Sequence, residues 1–68
     1  MKVNDVIAAA KRFLREEAEH GSIQIESVQA NEKENTWTVV GDVGFLSNEY
    51  KVVVIDDRDG NVLSYRDR

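Results

Sequence analysis

The chain has 68 residues, a formal net charge of −4, and neither cysteine nor proline. A domain of about 60 residues buries only about 60% of the surface its unfolded chain exposes, so one small, marginal core is all this length supports. Disulfides and thiolate metal sites are excluded, which leaves oligomerisation as the open stabilising device. The acidic balance argues against a surface that tracks nucleic-acid phosphates. No apolar run is long enough to span a membrane, and no charged-then-apolar leader opens the chain, so the expectation is one cytoplasmic domain over residues 1–68.

The first element is a helix over about residues 4–20. Val3, Val6, Ile7, Ala10, Phe13, Leu14 and Ala18 recur at three- and four-residue steps and form one apolar stripe. Asn4 suits the N-cap, Asp5 favours the first turn, and Gly21 suits the left-handed position after the helix. Lys11, Arg12 and Arg15 alternate with Glu16, Glu17 and Glu19 on the outer side, a solvated face with local pairs.

Four strands follow, over about 22–30, 36–45, 50–56 and 62–66. In the first, Ile23 and Ile25 share a face while Val28 and Ala30 fall on the other phase. That pattern implies either a bulge near Ser27 or a strand apolar on different faces in its two halves. Residues 31–35 form a polar turn and residues 46–49 a short loop. Asp59-Gly60 closes the final hairpin, between the apolar run Val52–Ile55 and Val62-Leu63. The predicted architecture is α+β: one N-terminal helix on one face of a four-stranded antiparallel meander, a reduced cystatin-like layer.

A register follows from the loops. Pairing Phe45 with Tyr50 sets Val43 against Val52 and Gly41 against Val54; pairing Asp56 with Asn61 sets Val54 against Leu63 and Val52 against Tyr65. Opposed residues share a face. The predicted core face is then Trp37, Val39, Val43, Phe45, Val52, Val54, Leu63 and Tyr65 with Ile23 and Ile25. Gly41 lies at its centre, where Ala8-Ala9-Ala10 would let the helix approach. The opposite face carries Val40, Val53, Ile55 and Val62 as an apolar patch. Such a patch on a small domain points to a protein partner or a homodimer, with pairing at a sheet edge as the competing route.

No constellation for chemistry stands out. Asp56 to Asn61 invites a calcium-loop reading, but Ile55 and Arg66 fall where ligands belong, and a turn around Gly60 explains the same residues. His20 is the only histidine and fits a helix C-terminus. The carboxylate pairs, such as Glu16 with Glu17, read as solvated charges. The expectation is therefore no enzyme, no metal and no cofactor.

Tyr50, Val52, Val54, Asp56, Gly60 and Val62 resemble the closing segment of small PepSY-type domains. Glu26-Ser27-Val28, Trp37-Thr38-Val39, Tyr50 to Asp56 and Gly60 to Arg66 are similar to the gas vesicle protein O family. That resemblance implies a helix-on-sheet fold and a non-enzymatic role, in assembly or in restraining a peptidase. A small apolar-ligand binder, with its pocket between helix and sheet near Gly41, is the further alternative.

Overall fold

A computed structural model describes all 68 residues. Val3–Arg12 forms α1, which continues as a π-helical turn over Phe13–Glu17. Gln24–Asn31 (β1), Thr36–Asp42 (β2), Tyr50–Asp56 (β3) and Val62–Asp67 (β4) form one antiparallel sheet in the order β1-β2-β3-β4. The helix covers one face, so the fold is the predicted α+β arrangement.

The helix begins and ends elsewhere than its residue types suggest. Lys2 is the N-cap, and the Asp5 carboxylate accepts its backbone N–H at 3.2 Å. At the other end the helix widens: Ala18 N–H reaches back five residues to the Phe13 carbonyl, and His20 N–H closes on the Leu14 carbonyl at 2.7 Å. The chain therefore reverses at Glu19, which adopts the left-handed conformation (φ 62°) expected of Gly21. The wider turn accompanies a double contact, with Leu14 over Gly41 and Phe13 edge-on to Tyr65 at 5.3 Å between centroids.

Val6, Ala10 and Leu14 come from successive helical turns and meet Val39, Val43, Val53 and Ile55 in the core. Ala9, Phe13, Ile23, Ile25, Val28, Trp37 and Val62 pack around them. It is Leu14, not the alanine run, that fills the space over Gly41: its Cδ1 lies 3.4 Å from where a Cβ would stand.

The β2–β3 register differs from the expected one. Tyr50 pairs with Asp42 rather than Phe45, so Val40 faces Val52, Val39 faces Val53 and Trp37 faces Ile55. The displacement is three residues along the strand. An odd displacement exchanges the two faces of β3. Val53 and Ile55, expected outside, are fully buried in the core. Val52 and Val54, expected inside, lie on the face away from the helix.

The cause lies in the connecting loop. Asp42 Oδ1 accepts the N–H groups of Gly44 (2.9 Å) and Glu49 (3.0 Å), and Val43 N–H donates to the Glu49 carbonyl. Strand β2 stops there, and residues 43–49 form the loop. A Cβ at Gly44 would stand 1.7 Å from the Ser47 carbonyl oxygen, so this turn closes only around glycine. Phe45 leaves the core and is 89% exposed.

Two bulges adjust the outer strands. The first lies between Ile25 and Ser27, which reconciles the two apolar phases of β1. The second lies between Val62 and Ser64 in β4. The final hairpin closes as expected, with Asp56 N–H donating to the Asn61 carbonyl and Gly60 at φ 77°. Leu63 is then bulged out and 55% exposed, and Tyr65 moves from the expected Val52 to Val53. The two displacements cancel, so Tyr65 stays on the helix side.

This register is checked by charge insertion. Ile55→Glu is expected to abolish cooperative folding, whereas Val54→Glu one position away leaves a folded protein; circular dichroism with urea titration reads both. Leu14→Ala is expected to cost about 2–5 kcal/mol, the range for a buried leucine that leaves a cavity.

Candidate interaction surface

The sheet face opposite the helix is covered by no element. Register places its residues in rows across the strands: Ser27, Val40, Val52 and Arg66 in one, and Gln29, Thr38, Val54 and Ser64 in the next. Asp42 and Tyr50 form part of a third. The valines are Val40 on β2 and Val52 and Val54 on β3; Thr38 and Asp42 of β2 are polar, as are the edge-strand residues Ser27, Gln29, Ser64 and Arg66. An apolar centre inside a polar rim is the anatomy of a protein–protein contact. Val52 is only 3% exposed without any covering layer, flanked on this face by its cross-strand neighbours Val40 and Arg66. At the corner, Arg68 stacks over the Tyr50 ring at 4.1 Å.

Of the four residues expected to carry a contact, only Val40 lies on this face. Val53 and Ile55 are core residues, and Val62 packs partly buried against that core. Val40 and Ile55 are not cross-strand neighbours. The continuous apolar run Val52–Ile55 offers both phases equally, so alternation alone assigns neither to the core. Val52 and Val54 take the places expected of Val53 and Ile55. The capacity of Asp42 to end β2 through its carboxylate is the clue that would have exposed this.

The sheet edges are poor templates. Both edge strands are bulged, β1 at Glu26 and β4 at Leu63, and β4 ends in Arg66 and Asp67. Bulges and charges are the usual devices that block strand addition.

The polar groups are engaged in holding turns. Asp56 is nearly buried and grips Arg58 through the guanidinium (Oδ2 to Nη2 3.0 Å) and its N–H (2.9 Å). Asp57 Oδ1 accepts the Trp37 indole N–H at 2.6 Å and the terminal ammonium at 3.0 Å. Lys51 pairs with Asp67 on the helix side, and His20 Nε2 lies 2.8 Å from the Tyr65 hydroxyl. No group of three or more His, Asp or Glu side chains converges as metal ligands would. Asp56 and Asp59 bond within their own turn instead: Asp59 Oδ1 accepts the Asn61 N–H at 2.9 Å. The space beside Gly41, expected of a ligand pocket, is filled by Leu14 and Ile23.

Three carboxyl groups are held below their ordinary range. Asp42 is lowered by the N–H donors of Glu49 and Gly44, Asp56 by the Arg58 guanidinium and N–H, and Asp57 by the Trp37 indole and then the terminal ammonium. A carboxyl depressed in the folded state contributes stability that is complete above its unfolded-state value of about 3.9. That contribution is lost as the pH falls through the folded-state value. The urea midpoint is therefore expected to fall progressively between about pH 5 and about pH 2. Asp42→Asn should flatten that profile and lower the plateau, because the amide accepts the two loop N–H groups more weakly.

Compared with protein-family models, curated proteins and solved structures, the chain matches none.

Proposed function

We propose that the protein is a small non-enzymatic interaction module that binds a protein partner through the bare sheet face. The observation that carries this reading is the row geometry. Val40 and Val54 flank the nearly buried Val52 on the central strands, with Thr38 opposite Val54 and the polar residues Ser27, Gln29, Ser64 and Arg66 on the edge strands. A sheet is stable with one wet face, but such a face ordinarily carries polar residues along its middle strands; β2 does so at Thr38 and Asp42, whereas β3 carries Val52 and Val54 in succession. The bulged edges favour the face over strand addition as the route. With one helix on one sheet, a small domain leaves more of its apolar surface uncovered than a larger one, and a partner supplies the missing layer.

Site-directed photocrosslinking tests this in cells that make the protein. With a photoreactive phenylalanine analogue at Val54, a discrete adduct is expected. None is expected from the same group at Arg15 on the outer side of the helix. Val40→Lys should abolish the Val54 adduct while the melting temperature stays within a few degrees. Equal labelling from both positions, or no adduct from Val54, overturns the reading.

A further inference from the structure

The bare sheet face is asymmetric in charge. Its β1–β2 half carries one charged group, the Asp42 carboxylate, among neutral residues. Both loop N–H groups that Asp42 accepts fall on Oδ1, so Oδ2 keeps no partner within the chain. The β3–β4 half carries Arg66 and, stacked over Tyr50, Arg68. The one carboxylate of that half, Asp56, is already held by Arg58. Arg66 and Arg68 are exposed, and neither takes part in an ion pair. Glu26, bulged at the β1 edge, is likewise exposed and unpaired.

A two-fold axis along the strands, midway between β2 and β3, exchanges these halves and keeps each row at its own height. Val40 then lies over Val52 of a second copy, Thr38 over Val54, and Ser27 over Arg66. At the end of the sheet, Asp42 meets the Tyr50–Arg68 stack. The negative half of one copy faces the positive half of the other, and valine falls on valine or on a threonine methyl. An axis across the strands would instead lay β4 on β4, cationic edge against cationic edge. Aligned packing of two sheets, at about 30°, is the ordinary way that they share a core. The area sets the strength. Strands of seven residues, four abreast at about 4.8 Å, present a face of roughly 450 Å². Two such faces cover roughly 900 Å², less than a permanent complex needs, so the contact is weak and reversible.

We propose that the partner of the bare face is a second copy of this chain, packed sheet to sheet about that axis. The inference rests on the reading of this face as a contact surface and adds what occupies it. The same patch serves both copies, so association closes at two.

Sedimentation equilibrium up to millimolar concentration tests this. The wild type is expected to reach a dimer and no larger species. Val54→Lys should stay monomeric. Phe45→Ser/Leu46→Ser, at the exposed loop tip, should dimerise as the wild type does. Ser27→Arg sets arginine against Arg66 of the second copy twice over and should weaken the dimer about tenfold. An equimolar mixture of Ser27→Arg with Arg66→Glu should restore it, because only the mixed pair sets the new arginine against the new glutamate. Circular dichroism first shows each variant folded; if Ser27→Arg is not, Gln29→Arg with Ser64→Glu makes the same test one row along. A wild type that stays monomeric, association lost with the loop tip, or a mixture that associates no better than its components overturns the proposal. The wider reading fails separately. A monomer that still gives the Val54 photoadduct carries another protein on this face, whereas a monomer that gives none has no contact there.

Discussion

The carboxylate of Asp42 sets the architecture of this protein. By accepting the N–H groups of Gly44 and Glu49 it ends β2 and fixes the length of the loop. The loop fixes the pairing of Asp42 with Tyr50, and that pairing decides which side of every β3 residue meets the helix. Asp42 and Gly44 together hold the loop geometry that accompanies Val53 and Ile55 in the core and Val52 and Val54 on the other face. Its charge is stabilised where it stands, since two backbone donors hold the carboxyl below its ordinary range. The end point of β2 matters this much because strand periodicity is two, and an odd shift turns a strand over.

The same constraint distributes apolar surface. The core is small: three helix residues, Val6, Ala10 and Leu14, meet four from the sheet strands and their edge, Val39, Val43, Val53 and Ile55. What the core does not use includes the valines of the bare face, the Phe45–Leu46 tip and the bulged Leu63. Had Phe45 paired with Tyr50, that aromatic ring would lie within the sheet and the tip would not exist. The bare-face valines and the exposed tip are thus both consequences of where β2 stops. The remaining polar groups mostly shape turns: Asp56 with Arg58, Asp59 with Asn61, and Asp57 with Trp37.

Legibility varied by element. The apolar stripe of the helix, its placement on the sheet, the meander and the Gly60 turn all follow from residue order, because each depends on near neighbours. The break in phase between Ile25 and Val28 fitted either a bulge or a strand apolar on different faces in its two halves, and the register resolves it as a bulge between Ile25 and Ser27. By contrast, the Leu63 bulge left no mark, since Val62 and Leu63 are both apolar and either could face inward. The helix end was misplaced for a different reason. Gly21 has the conformational freedom for a left-handed cap, yet the π-helical turn closes the helix earlier and Glu19 takes that position. Of the contact residues, Val40 was legible because Thr38 and Asp42 fix its phase; Val53 and Ile55 were not, within an unbroken apolar run.

The sequence by itself determined the class of fold and the order of its elements. Those properties arise from local periodicity and from which residue types are present. Only the tertiary structure decided the faces. Val52–Ile55 satisfies either assignment with nearly equal apolar character, so the choice falls to a long-range fact: how the loop folds back through Asp42 and Gly44, and which valines then meet Leu14, Ala10 and Val6. Register is a relation between strands, and a two-faced apolar strand carries no local record of it.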